Sequence, residues 1–162
     1  MDYALRTLSQ QLTVLSGQAD LKASIVITAS SLVLSISASN WSDEDLRAGL
    51  VITAAGVLVA MIAAIVAVIP KMPLKIEGAA VPADRNRFFF GHAALLDRER
   101  YLSEMLEVLA DDERLYRELI SDLHAQSQYL LRRKYTWLRI SYVALLLAFG
   151  VGVPVGLVTA VT

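Results

Sequence analysis

The stretch Asp111–Gly150, DDERLYRELISDLHAQSQYLLRRKYTWLRISYVALLLAFG, begins with charged residues and ends with apolar ones, and it contains no helix breaker before Gly150. Asp111 and Asp112 are candidate N-caps, since acidic side chains accept hydrogen bonds from the free N–H groups of a first helical turn. Leucines then recur at helical spacing, so one face can pack against a partner. The stretch therefore predicts one long helix, amphipathic in its first half and apolar in its second.

The middle of this helix carries a cluster of basic and aromatic residues, followed by an uncharged run from Ile140 to Thr162. Such a cluster is typical of a membrane–water interface, and an apolar run of this length can span a bilayer. The cluster consists of Arg132, Arg133, Lys134, Tyr135, Trp137 and Arg139. We therefore expect the helix to enter a membrane at this point.

Composition favours a membrane protein over a soluble one. The chain is 56% hydrophobic, against roughly 45–50% in soluble domains. A net charge of −1 gives no reason to expect a nucleic-acid partner. The absence of cysteine excludes a disulfide framework and the usual Cys-rich zinc sites.

Two further uncharged runs, Ala23–Ser42 and Ala48–Pro70, are also long enough to cross a bilayer as helices. Each carries a stripe of small residues on one helical face, which is the pattern of close helix–helix contact in membranes. The hydroxyl stripe of the first run is Ser24, Thr28, Ser31, Ser35 and Ser39, and the small-residue seam of the second is Gly49, Thr53, Gly56, Ala60, Ala63, Ala64 and Ala67. These stripes can face each other, as a hairpin within the chain, or face other subunits.

The segments between and before the spans are predicted to be helical as well. Leu5, Leu8, Leu12 and Leu15 form a narrow apolar stripe, so residues 1–22 form an amphipathic helix that lies on the membrane, on a neighbouring helix or in a short coiled coil. Asp97 can cap a helix over residues 98–110, and a tight connection at Ala110-Asp111 would join it to the long helix as an antiparallel pair.

Basic residues predict the orientation. Residues 71–139 contain 12 Lys and Arg, whereas the loop of residues 40–47 contains one. Since short loops rich in Lys and Arg stay in the cytosol, the long segment and the N-terminus should be cytosolic. The predicted fold is an all-α membrane protein with an N-terminal amphipathic helix (1–22), a two-span hairpin (23–70), a cytosolic helical region (71–137) and a third transmembrane helix (138–162), the second cytosolic helix being continuous with the last span.

The segment Asp84–His92, DRNRFFFGH, carries the densest chemical signal in the cytosolic region. Guanidinium groups bind phosphate, and aromatic rings stack on bases, so this segment can hold a small anionic ring compound. The alternative is that Phe88–Phe90 form an interfacial anchor or a small apolar core. The candidate ligand-binding residues are Arg85, Asn86, Arg87, Phe89, Phe90, His92, Tyr101, Arg132, Arg133 and Lys134.

No catalytic or metal-binding motif is present. The sequence lacks a Gly-rich phosphate loop, GxSxG and HExxH, and it has only two histidines. We therefore predict no catalytic residue, no metal and no cofactor.

Several short motifs together resemble the transmembrane effectors of bacterial Pycsar anti-phage systems, the PycTM-type proteins. The resemblance runs from about Gln18 to Gly152 and includes DLKAS at 20–24, NRFFFGH at 86–92, Tyr101, LRRKY at 131–135 and Leu138-Arg139. It implies a bacterial inner-membrane protein that responds to a cyclic pyrimidine mononucleotide, cCMP or cUMP, made by a partner cyclase during phage infection, and that then impairs the membrane. It supplies no binding residues, so the candidate site rests on side-chain chemistry.

The expected function is ligand-gated membrane disruption by a homo-oligomer, because three spans are too few to line an aqueous pore within one chain. The alternative, from another functional class, is a structural or regulatory membrane subunit that binds a partner protein through its cytosolic helical pair.

Overall fold

The computed structural model describes residues 2–69, Phe88 and residues 96–161 of the chain. Its elements are α1 (Asp2–Ser39), α2 (Arg47–Val68), α3 (Arg98–Leu109), α4 (Asp112–Tyr129), a π-helical segment (Leu130–Tyr135) and α5 (Thr136–Thr159). The described residues contain no β-strand, which confirms the predicted all-α class.

Within the described residues, three helices are long and apolar enough to cross a membrane: α1, α2 and the continuous helix Asp112–Thr159, which includes α4, the π-helical segment and α5. The prediction of three spans, with the last one continuing from the helix before it, is confirmed. The continuous helix is not uniformly α-helical, however, because the π-helical segment interrupts it between Leu130 and Tyr135. The part of the chain that the structure describes is therefore that of a membrane protein with three spans.

Helix α1 joins two segments that we predicted separately, the N-terminal helix and the first span. The sequence explains its length, because residues 2–39 contain no proline and a single glycine, Gly17. The helix ends where the Asn40 side-chain amide donates a hydrogen bond to the Ile36 carbonyl oxygen, at 2.9 Å. This side chain satisfies one of the carbonyls that lose a partner at a helix C-terminus.

A tight connection separates α3 from α4, as the sequence predicts. The Asp111 carboxylate accepts hydrogen bonds from the backbone N–H groups of Glu113 at 3.0 Å and Arg114 at 3.3 Å, so Asp111 is the N-cap. The Arg114 guanidinium donates to the Glu107 carboxylate of α3 at 2.6 Å. These contacts hold the end of α3 to the start of α4, and the cytosolic location of both helices stays a prediction.

The chain divides into two compact units. We call the first the polar unit, which comprises the described residues within Met1–Val14 and Pro70–Tyr129. The second, the span unit, comprises the described residues within Leu15–Ile69 and Leu130–Thr162.

In the span unit, α2 and α5 pack antiparallel with their backbones in direct contact. A Cβ atom placed on Gly49 would lie 2.6 Å from the Gly152 carbonyl oxygen, and one on Gly56 would lie 2.7 Å from the Ala148 Cβ. The predicted small-residue seam of α2 is confirmed as its buried face, since all but one of its members are buried: Gly49, Thr53, Ala60, Ala63, Ala64 and Ala67. The Ser141 hydroxyl adds a hydrogen bond to the Ala60 carbonyl oxygen, at 2.9 Å.

The hydroxyl stripe of α1 is not buried within the chain, so its contact with other subunits stays a prediction. Ser24, Thr28, Ser31, Ser35 and Ser39 are all exposed, and the buried face of α1 consists of Ala19, Ala23, Val26, Ser30 and Ser37. Four stripe hydroxyls, those of Ser24, Thr28, Ser31 and Ser39, donate instead to the carbonyl four residues earlier in their own helix. A hydroxyl satisfied in this way needs no partner helix. Ser31 also donates to the Met61 sulfur of α2, at 3.9 Å. The α2 seam packs on α5 and, through Ala60 and Ala64, on the buried face of α1.

Candidate functional site

The predicted ligand residues have three different positions relative to the described structure. Six of them lie outside the described residues: Arg85, Asn86, Arg87, Phe89, Phe90 and His92. Tyr101 lies on α3 in the polar unit, half-buried. Arg132, Arg133 and Lys134 lie in the π-helical segment, which belongs to the span unit.

The polar unit contains an open groove between the first turns of α1 and the middle of α4. Its volume is about 440 Å³, and it is lined by three leucines, Leu5, Leu119 and Leu123, and by four polar residues, Arg6, Ser9, Gln10 and Asp122. Helical spacing explains why the lining residues of each helix lie together, because residues three and four positions apart share a face of an α-helix. Each helix thus contributes both apolar and polar side chains to the surface of the groove.

The groove is lined by residues of opposite charge, Arg6 on α1 and Asp122 on α4. In the part of the chain that the structure describes, the Arg6 guanidinium makes no hydrogen bond or ion pair. The Asp122 carboxylate accepts a hydrogen bond from the Gln126 side-chain amide at 2.8 Å, which fixes its position on α4. The groove thus has a basic residue on its α1 side and an acidic residue on its α4 side.

The span unit contains a buried ion pair. The Lys134 ammonium lies 2.7 and 2.8 Å from the two carboxylate oxygens of Asp20, and it also donates to the Ser16 hydroxyl at 2.8 Å. The Lys134 side chain is 11% exposed and that of Asp20 is 42% exposed. Three hydrogen bonds satisfy the ammonium, as a buried charge requires.

This ion pair lies at an irregular part of the backbone. Lys134 belongs to the π-helical segment, and the Thr136 hydroxyl donates to the Leu131 carbonyl oxygen, five residues earlier, at 3.1 Å. Short π-helical segments within α-helices often mark functional sites. The neighbouring Arg132 is exposed, whereas the Arg133 Nε is buried and has no hydrogen-bond partner among the described residues.

Three residues of the groove and the ion pair were not identified as site residues from the sequence: Asp20, Arg6 and Gln10. We expected Lys134 to be a ligand or interface residue, and the structure pairs it with Asp20. The sequence signals of Asp20 are its position just before the first uncharged run and its place in the DLKAS motif. Arg6 and Gln10 belong to a segment that we interpreted by its leucines alone. The signal that could have found them is their spacing of four residues, which places both on one helical face.

The arrangement is suited to binding and to mechanical coupling more than to covalent chemistry. Among the described residues, no group of three or more His, Cys, Asp or Glu side chains could hold a metal ion. The groove offers charged and polar groups between apolar walls, which is the character of a small-ligand site. The ion pair joins α1 to the helix that becomes the last span.

A family model described as PycTM, Pycsar effector protein domain, matches residues 3–162. No curated protein matches the chain, and no solved structure does.

Proposed function

The chain belongs to the PycTM family of Pycsar effector proteins, and from this membership we propose that a cyclic pyrimidine mononucleotide, cCMP or cUMP, activates it to oligomerise and impair the bacterial inner membrane. The protein is an anti-phage transmembrane effector, and the family implies a cyclic nucleotide signal and a membrane context. The family is not one of known enzymes. The observation that carries the proposal is the family match, which covers nearly the whole chain.

The span unit supports an action on the membrane. Large apolar side chains are exposed on all three spans, among them Ile25, Val59 and Leu146 at 57%, 54% and 71% exposure. Exposed apolar surface on this scale requires lipid or other apolar contacts around it. The protein therefore acts from within a bilayer.

The packing of the span unit supports an assembly of several copies. Its centre is a cluster of buried apolar residues drawn from α1, α2 and α5: Ala19, Ala23, Val26, Ala60, Ala64 and Leu138. Buried apolar side chains thus fill this position between the three spans. A path for ions would therefore form between chains, which makes a homo-oligomer the active form.

We place ligand recognition in the region between the second and third spans. Arg85 and Arg87 supply charge for the phosphate, and one of the aromatic residues Phe89, Phe90 and Tyr101 stacks on the base. Asn86, His92, Arg132, Arg133 and Lys134 complete the set of candidates. A cyclic mononucleotide carries one phosphate charge, so one or two arginines suffice. The exposed Arg132 meets lipid headgroups, whereas Lys134 is paired with Asp20.

Purified protein in liposomes that contain a self-quenched dye tests this function. We expect addition of cCMP or cUMP to release the dye and to increase the size of the assembly, while cAMP and cGMP do neither. The matched control is the same liposomes without protein. Release that does not depend on nucleotide, or that follows equally from purine nucleotides, would contradict the proposal.

A chain that neither binds a nucleotide nor releases dye, and that co-purifies in stoichiometric amount with a second protein, would favour the alternative of a structural or regulatory subunit.

A further inference from the structure

We infer that the ion pair between Lys134 and Asp20 is a latch: it holds the segment Leu130–Tyr135 in its π-helical form, and its opening lets the segment become α-helical and activates the protein. This inference rests on the proposed function, because it concerns the step between ligand binding and damage to the membrane.

The first step of the argument is the position of the ion pair along the chain. The polar unit ends after Val14 in α1 and after Tyr129 in the continuous helix Asp112–Thr159, and the span unit begins with the next residue of each helix. Asp20 and Lys134 each follow shortly after one of these boundaries. The pair therefore joins the two helices where each of them enters the span unit.

The second step is the irregular backbone. A π turn holds one residue more than an α turn, so conversion of the segment to α-helix adds the turn and rise of one residue, about 100° and about 1.5 Å. Helix α5 is fixed on α2 by close backbone contact and by the hydrogen bond from Ser141 to the Ala60 carbonyl oxygen at 2.9 Å. The added turn would therefore displace Leu130, at the other end of the segment, from its buried position.

The third step is that the π-helical form has an unfavourable contribution, which conversion would relieve. The Arg133 Nε is buried and has no hydrogen-bond partner among the described residues, and a buried polar group without a partner is destabilising. The Lys134 ammonium opposes the conversion, because it donates to both carboxylate oxygens of Asp20 and to the Ser16 hydroxyl, which fixes the direction of its side chain. Loss of the pair removes this opposition.

The fourth step is that the pair can open without unfolding of the spans. The Lys134 side chain is largely buried, but the Asp20 carboxylate is partly exposed, so water can reach it. A buried ion pair adds little net stability compared with apolar contacts, and the neighbouring contacts of α1 are apolar: Ala19, Ala23 and Val26. A pair with these properties is suited to a switch more than to a permanent joint.

The first measurement is dye release, without nucleotide, from liposomes that contain the full-length protein. We expect Lys134→Met and the double variant Asp20→Ala/Lys134→Met to release dye about tenfold to a hundredfold faster than wild type, the change that corresponds to loss of a hydrogen bond to a charged group. Neither variant contains an unpaired buried ammonium, so both should stay folded. The exchange Asp20→Lys/Lys134→Asp should restore the wild-type rate. Asp45→Ala, which removes an exposed carboxylate outside the spans, is the matched control.

The second measurement reports the conversion itself. The chain contains no cysteine, so a single introduced cysteine can be labelled alone. Leu130 is buried and the adjacent Leu131 is exposed. With the latch intact and no nucleotide, Leu130→Cys should react slowly with a maleimide and Leu131→Cys rapidly. Addition of Lys134→Met should make Leu130→Cys react about as fast as Leu131→Cys, and nucleotide should do the same with the latch intact.

Release and labelling of Lys134→Met that equal those of wild type would overturn the latch. Release by Asp20→Ala alone would also overturn it, because that variant leaves the ammonium unpaired and its effect would then come from lost stability. Faster release with Leu130→Cys still protected would show that the segment keeps its π-helical form. If wild type responds to neither cCMP nor cUMP while Lys134→Met makes Leu130→Cys reactive, the proposed function fails and the latch stands.

Discussion

Lys134 and Asp20 are 114 positions apart in the sequence, and each affects stability differently because their exposures differ. Removal of the Asp20 carboxylate leaves a buried ammonium with only Ser16 as partner, whereas removal of the ammonium leaves a carboxylate that water can still reach. Breaking a buried ion pair costs up to about 3–5 kcal/mol, and the partial exposure of Asp20 reduces this. We expect Asp20→Ala to cost about 2–3 kcal/mol of unfolding free energy and Lys134→Met to cost under about 1 kcal/mol.

Thermal unfolding in detergent, followed by circular dichroism, measures this asymmetry. The double variant Asp20→Ala/Lys134→Met should recover most of the loss, because it contains no unpaired charge. Lys22→Ala is the control, since Lys22 is an exposed cation close to Asp20 on α1. Equal destabilisation by the two single variants would mean that the burial of Lys134 does not determine the energetics of the pair.

At the scale of elements, the contact between α2 and α5 depends on glycines, and α5 provides its own comparison. A Cβ atom on Gly152 would lie 2.9 Å from the Thr53 backbone nitrogen and closer still to its hydroxyl oxygen, while one on Gly150 would have no atom within 4 Å. Gly152→Ala should therefore force the helices apart at a cost of about 1–3 kcal/mol. Gly150→Ala should be neutral or stabilise by up to about 1 kcal/mol, because alanine is the better helix former.

Thermal unfolding of both variants in the same detergent separates these outcomes, and the two substitutions change the same residue type on the same helix. Indistinguishable melting of Gly150→Ala and Gly152→Ala would show that close approach of α2 and α5 does not stabilise the span unit.

The helices could be predicted well from the sequence, but their partners could not. The seam of α2 is readable because an uncharged helix with all its small residues on one side has an evident contact face. The hydroxyl stripe of α1 does not identify its partner, since a serine that contacts a neighbouring helix and one that bonds to its own carbonyl have the same spacing. Helix α5 carries small residues too, at Ala148, Gly152 and Gly156, and no local pattern specifies which pair of spans makes contact.

The candidate sites were less predictable than the helices for a related reason. An ion pair such as Lys134–Asp20, or a groove with one wall on α1 and one on α4, depends on which distant segments meet. A single sequence does not show which distant segments meet. The composition of the basic cluster suggested a ligand or a membrane surface for Arg132, Arg133 and Lys134 alike, although burial distinguishes Lys134 from the exposed Arg132.

At the scale of the whole molecule, the distribution of charge predicts the orientation. The 12 basic residues in residues 71–139, against one in residues 40–47, should keep the long segment in the cytosol. Alkaline phosphatase fused after Ser42 should be active, because it folds only in the periplasm. The same enzyme fused after Pro82 should be inactive, and a green fluorescent protein at that position should fluoresce.

A fusion at Thr162 provides the internal check on this topology, since three spans place the two ends of the chain on opposite sides. Alkaline phosphatase should therefore be active at that position as well. Activity after Pro82 together with inactivity after Ser42 would reverse the predicted orientation and would place the groove outside the cell.

The π-helical segment also has a consequence for how the chain tolerates changes in length. A π turn bonds each carbonyl to an N–H five residues later, so it accommodates one residue more than an α turn. Loss of one residue between positions 130 and 135 can be absorbed by conversion of the segment into ordinary α-helix. The same deletion inside α2 would turn every later side chain by about 100°, removing the seam from its contact. Within the helix Asp112–Thr159, deletion of one residue should therefore cost the least stability in the π-helical segment.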